Sequence, residues 1–135
     1  MKFTIAAISL LTSLVAADQA FNGITVRTGT KFQFGQLSVE NDEVFINDQD
    51  GAAISFVLKD DGSLQDTNSN KYFTFNDRSA LATTDEPDKQ FSFHEVYLKH
   101  GDSSGFYACP DGDKYYLSGN DCEGSTPVAV YVDKA

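Results

Sequence analysis

The feature that most constrains this chain is how briefly it stays apolar before a turn interrupts it. From residue 24 onward, short β-branched and aromatic runs recur with a period close to two: Ile24-Thr25-Val26, Phe32-Gln33-Phe34, Val44-Phe45-Ile46 and Phe56-Val57-Leu58. The series continues through Tyr72-Phe73-Thr74-Phe75, Phe91-Ser92-Phe93, Val96-Tyr97-Leu98, Tyr115-Tyr116-Leu117 and Val128 to Val132. Side chains alternate across a strand, so this period fits a pleated, half-buried ribbon and not a helix. Between the runs stand Arg27-Thr28-Gly29, Asn41-Asp42, Asp48-Gln49-Asp50-Gly51, Asp60-Asp61-Gly62, Asp102-Ser103-Ser104-Gly105 and Asp111-Gly112-Asp113. Asp and Asn hydrogen-bond their own backbone and Gly accepts positive φ, so each cluster reads as a turn. Many short strands with regular turns predict an all-β sandwich or barrel.

A faint internal echo favours the barrel. Ser55-Phe56 and Ser92-Phe93 are 37 residues apart, each within a unit of strand, turn and aromatic strand. A looser unit runs from Ile24 to Ile46, and three such units fill the chain behind its leader. Threefold repetition of hairpin units predicts a single compact, β-trefoil-like barrel, with a β-sandwich as the alternative.

The leader is residues 1–17. Lys2 precedes an apolar run through Ile5, Ile8, Leu10, Leu11, Leu14 and Val15, and Val15-Ala16-Ala17 ends it with the small residues a signal peptidase accepts. Ser9, Thr12 and Ser13 interrupt the run before it reaches the roughly 18 apolar residues of a membrane span. The reading is a secretory signal peptide at 1–17 followed by one all-β domain at 18–135, secreted and extracellular or in a cell wall. The C-terminal stretch from Pro127 to Ala135 has no polar spacer with a hydrophobic tail, so no lipid anchor and no membrane association is expected after the leader is removed.

The 135 residues carry 20 acidic and ten basic side chains; without Lys2 the balance behind the leader is 20 to nine, a net charge of −11. Such a field repels nucleic acid and anionic lipid, and neither is expected as a partner. In an oxidising compartment the two cysteines, Cys109 and Cys122, read as one disulfide, whose 13-residue loop is worth about 3 kcal/mol in the chain-entropy model. Two thiols without a neighbouring His do not make a zinc site, and no metal or cofactor is expected.

Three constellations bear on chemistry. The acidic residues Asp48, Asp50, Asp60, Asp61, Asp111 and Asp113 could in principle pair for glycoside hydrolysis, but all sit in Gly-containing turns, where Asp has a local backbone role. Asp48-x-Asp50-Gly51 matches the start of a calcium loop whose closing Glu is missing. His94 and His100, with Ser103 and Ser104, supply the letters of a Ser–His–acid triad without a nucleophile elbow. The tyrosines Tyr97, Tyr107, Tyr115, Tyr116 and Tyr131 are the third set, able to stack on sugar rings. Adjacent Tyr115 and Tyr116 face opposite ways in a strand, so at most one is core. With Asp111, Asp113 and Asn120 as hydroxyl partners, Tyr115 and Tyr116 are the candidate glycan contacts.

One stretch carries a resemblance. Gly105-Phe106-Tyr107-Ala108-Cys109-Pro110-Asp111-Gly112, followed by Tyr115-Tyr116-Leu117 and Cys122, resembles small secreted cell-wall proteins of ascomycete fungi. There a Phe-x-Ala-Cys-Pro stretch, an aromatic-Leu strand and a closing Cys end an all-β domain. The opening from Phe21 to Phe34, with its short strand, Arg-x-Gly turn and Phe-Gln-Phe strand, is similar in outline, and Asp60-Asp61-Gly62-Ser63-Leu64 matches an Asp-Asp-Gly-x-Leu hairpin of the family. The chain is similar to the yeast-form wall mannoproteins of budding yeasts. That resemblance implies a non-enzymatic, secreted structural protein of a fungal wall or surface. A monomer is expected, with wall polysaccharide as its candidate partner. A glycan-binding, lectin-like module is the alternative and an extracellular hydrolase the second alternative. Those mannoproteins usually carry a Ser/Thr-rich region and a lipid-anchor signal. This sequence stops at Ala135, so the expectation is release or non-covalent retention in the wall.

Overall fold

The computed structural model describes residues 18–134; the leader expected at 1–17 lies outside the described residues, as does residue 135. Thirteen strands and no helix make up the described chain. In order they are β1 (Gln19–Val26), β2 (Gly35–Glu40), β3 (Glu43–Ile46), β4 (Ala52–Ala53), β5 (Phe56–Leu58) and β6 (Leu64–Asp66). There follow β7 (Lys71–Phe75), β8 (Leu81–Thr84), β9 (Phe91–His94), β10 (Tyr97–His100), β11 (Phe106–Asp111), β12 (Lys114–Ser118) and β13 (Thr126–Lys134).

All thirteen belong to one sheet, and the sheet closes. Antiparallel pairings run β1–β5–β6–β7–β8–β3–β12–β11–β13, and β13 returns to β1 through Phe21↔Lys134 to Val26↔Ala129. The ring of nine strands is the all-β barrel expected from the alternation; two separate packed sheets, the sandwich alternative, do not form. Closure removes the open edges that a free sheet would expose. Beyond the ring, β2 pairs with β1 and β3 and carries β4, while the β9–β10 hairpin attaches to β13 through Tyr97↔Tyr131.

The alternation decides what faces inward. On β13, Val128, Val130 and Val132 are buried while Pro127, Ala129 and Tyr131 face out. The fully buried Phe73, Phe106, Leu64, Leu81, Leu98, Leu117, Val44 and Val130 fill the barrel, each large side chain contributing roughly 1.5–3 kcal/mol by leaving water. Phenylalanine does the work of the missing tryptophan. The ring of Phe21 stacks on Phe56 (5.1 Å) and meets Phe93 edge-on (5.1 Å), so the two echoed Ser-Phe positions converge on one residue.

One expected strand is not a strand. Phe32-Gln33-Phe34 lies in the turn that joins β1 to β2. The buried Thr25 hydroxyl donates to the Phe32 carbonyl (2.7 Å), and the Gly35 amide donates to the same carbonyl at 3.2 Å. Phe32 is thereby pulled into the core and Phe34 turned out of it, with φ 61° in the left-handed region.

Candidate functional site

The sequence-nominated contacts are dispersed. Tyr115 and Tyr116 do face opposite ways on β12, but each is packed. Tyr116 is 7% exposed beside the Cys109–Cys122 disulfide, with the Arg78 guanidinium 3.9 Å above its ring. Tyr115 packs edge-on against Phe32 (4.9 Å), and its hydroxyl accepts a hydrogen bond from Lys31 Nζ (2.9 Å). Asp111 accepts from Arg78 (3.1 Å), which also holds Glu43; hydrogen bonding to Glu43 keeps the Arg78 guanidinium above its usual range. Asn120 donates to the Ser79 hydroxyl (2.7 Å) at the rim of a cavity of about 180 Å3 shared with His100. Asp113 and Tyr115 border another cavity, of about 420 Å3.

That second cavity is organised by Lys114. Its ammonium lies 2.6 Å from Glu40, 3.2 Å from Asp48 and 3.3 Å from Asp50, and hydrogen bonding to Glu40 is the main reason its pKa rises. Burial of Asp48, whose side chain is only 2% exposed, works against its charge. Contacts with Glu40, the Asp50 amide and Lys114 outweigh that and hold it below the usual carboxylate range. Asp48 Oδ1 also accepts from the Asp50 amide (3.1 Å), the turn role expected of it. Asp61 does the same for Ser63, accepting from its amide (2.9 Å) and hydroxyl (2.7 Å). Asp48 Oδ1 is thus engaged by a turn amide and Lys114, and Asp61 Oδ1 by the amide and hydroxyl of Ser63.

The histidine constellation is tied up likewise. His100 Nε2 lies 2.9 Å from Asp88 Oδ2, which also accepts from the Thr74 hydroxyl (2.8 Å), and the imidazole packs against Phe75 and Phe91. Ser103 Oγ accepts from the Gly105 amide (3.1 Å) instead of facing the histidine. Among the described residues, no three of His, Cys, Asp and Glu are placed to hold a metal ion together.

A larger concavity than either lies elsewhere, on the outer face of β1, β13, β10 and β11. It measures about 750 Å3, within the roughly 300–1,000 Å3 of small-ligand sites. Register builds it. Ile24, Tyr131 and Tyr97 form one row across three strands, since Ile24 pairs with Tyr131 and Tyr131 with Tyr97. Four residues along β13, about 13 Å away at ~3.3 Å per residue, Pro127 pairs with Tyr107. Ala129 and Val26, paired between these ends, keep the floor low. The β1–β2 turn supplies the remaining wall, with Arg27, Thr28, Gln33 and Phe34.

That wall is locked by its own hydrogen bonds. The Arg27 amide donates to Gln33 Oε1 (2.6 Å), and the Thr30 hydroxyl to the Arg27 carbonyl (2.9 Å). Phe34 stands out from it, 67% exposed on a backbone conformation that costs a non-glycine residue of order 1–3 kcal/mol. The aromatic pairs of the core join phenylalanines, His100 and Tyr115; Phe34, Tyr97, Tyr107 and Tyr131 take part in none of them. Arg27 is the one charge lining the groove among the described residues.

Sequence reasoning named Tyr97, Tyr107 and Tyr131 as stacking candidates but had no means of grouping them, because residues 24–34, 97–107 and 127–131 meet only through strand pairing. The alternation places Phe34 in a strand, whereas it lies in the β1–β2 turn. The signal that could have found it is the adjoining Gly35.

No family model matches the chain, and no solved structure matches it. It is similar to Cell wall protein CWP1 of Saccharomyces cerevisiae, with 29% identity over 136 aligned positions that cover 96% of this chain and 56% of the relative. The chain thus spans somewhat more than half the length of the curated relative it matches.

Proposed function

We propose that this chain is a non-enzymatic structural protein of a fungal cell wall or cell surface, secreted by a leader at 1–17 and folded as one domain at 18–135. The observation that carries the reading is the similarity to a yeast cell wall protein along nearly the whole chain, barrel and disulfide region included. Its place is outside the plasma membrane. The architecture suits that place: a closed barrel leaves few strand edges for unwanted pairing, and a disulfide persists in an oxidising environment. The acidic surface keeps such a protein soluble among neutral polymers.

The lectin-like reading has support of its own in the aromatic groove on β1, β13, β10 and β11. A wall protein with that groove is held by polysaccharide instead of diffusing away.

The test is fractionation of budding yeast expressing an epitope-tagged chain, with medium, salt- and detergent-extracted wall, and glucanase-released wall compared. Recovery outside the cell, with residues 1–17 absent by mass spectrometry, supports the reading; retention inside the cell with the leader intact overturns it.

A further inference from the structure

We propose that the groove across β1, β13, β10 and β11 is a binding site for a neutral, β-linked polysaccharide chain whose sugars carry equatorial hydroxyls. The proposal deepens the wall reading by giving the barrel a partner.

An exposed sheet face is ordinarily polar. Here Ile24, Val26, Tyr97, Tyr107 and Tyr131 all point outward from four strands, and Phe34 adds an exposed ring above them. The five strand residues are half-buried and Phe34 is exposed, and an apolar patch of this kind on an outer sheet face marks an interaction site. The strain at Phe34 points the same way. A left-handed backbone suits Asn or Gly, yet a phenylalanine sits there with its ring in solvent, contributing little to the core in return.

The occupant follows from chemistry and charge. Tyrosine presents an apolar face with a polar tip, matching a sugar ring that has a C–H face and a rim of hydroxyls. Among the described residues, no hydrogen bond engages the hydroxyls of Tyr97, Tyr107 or Tyr131, whereas that of Tyr115 is taken by Lys31. Arg27, Thr28 and Ser104 at the edges add donors and acceptors. On a chain with 20 acidic residues, none of them lines the groove among those described, so there is nothing to attract a cation or a basic peptide. The two tyrosine ends stand about 13 Å apart with low Ala129 between them, farther than one sugar ring reaches, so only a chain several sugars long touches both ends. Equatorial hydroxyls leave the C–H face flat enough to stack; an axial hydroxyl lifts the ring.

The experiment uses the chain purified from culture medium. It is incubated with insoluble β-1,3-glucan, chitin and mannan, with soluble β-linked gluco-oligosaccharide as competitor, beside Phe34→Asn and Tyr131→Thr variants. Tyr115→Phe, outside the groove, is the control. Saturable, competed and salt-insensitive binding to glucan or chitin is expected, weakened about tenfold or more in each groove variant and unchanged in the control. Thermal melts establish that the variants are folded. Absence of binding, binding to mannan alone, or full binding by both groove variants overturns the proposal. So does a concentration-dependent dimer on size exclusion that Phe34→Asn dissolves, since a second copy is then the occupant. A chain found in the wall that binds no glycan sinks this site and leaves the wall reading standing; a chain that binds but stays inside the cell does the reverse.

Discussion

Thr25 and Gly35, paired across the β1–β2 hairpin, share one volume: the Thr25 hydroxyl, fully buried, sits where a β-carbon at position 35 would have to go. From there the hydroxyl reaches the Phe32 carbonyl and shapes the turn that carries the groove wall. Ile46 Cγ2, 2.8 Å from the same point, closes the other side.

Gly35→Ala is therefore expected to destabilise the barrel by about 2–3 kcal/mol, since neither neighbour is the free end of a flexible chain. Urea unfolding measures it. Gly112→Ala, with open space around it but φ 64°, is the comparison and costs only about 1 kcal/mol.

Phe34→Asn removes a large apolar side chain and yet is expected to leave stability unchanged or raise it by about 1 kcal/mol. The lost ring is two-thirds exposed, and Asn tolerates the left-handed backbone that strains phenylalanine. A fall of several degrees in melting temperature would show that the ring contributes to packing after all.

The disulfide joins β11 to the segment before β13, with its Cα atoms 6.2 Å apart and 13 residues in the loop. Reduction, or the paired Cys109→Ser and Cys122→Ser replacement, should lower unfolding free energy by about 3 kcal/mol. Denaturant titration with and without reductant reads the difference. Tyr116 and Ala80, packed against Cys109, are where side-chain order should loosen first.

Acid should unfold this barrel through its turns. Hydrogen bonds from the Ser63 hydroxyl and amide hold Asp61 below its ordinary range. For Asp88 burial pushes upward, but hydrogen bonds with His100 and Thr74 outweigh it and the net shift is downward. Carboxylates with depressed folded-state pKa values stabilise the fold above their unfolded pKa. That contribution is lost as pH falls through the lower folded value. The urea midpoint is thus expected to fall between about pH 5 and about pH 2, and Asp61→Asn to flatten part of that decline. A midpoint independent of pH across that window would contradict it.

Phe73 is fully buried, with its ring 5.3 Å from that of Phe56. Phe73→Ala is expected to cost about 3–5 kcal/mol through lost transfer energy and a residual cavity. In a domain of this size that is a large share of total stability, so calorimetry should show a lowered and broadened melt.

The sequence by itself determined the class of fold, the position of most turns and the cysteine pair. These are local or chemically forced. Alternation with period two already assigns Val128, Val130 and Val132 to one face and Ala129 and Tyr131 to the other, and Asp-Gly clusters bend the chain through their own backbone hydrogen bonds. Tertiary structure decided the closure and the site. Alternation says that Tyr97, Tyr107 and Tyr131 lie outward of their strands, but only the pairing of β13 with β1, β10 and β11 puts them in one groove. It also made Phe32-Gln33-Phe34 a turn, because the Thr25 hydroxyl and the space at Gly35 override a pattern that reads as a strand. Register between segments a hundred residues apart is set by how a whole core packs, and no window of sequence contains that information.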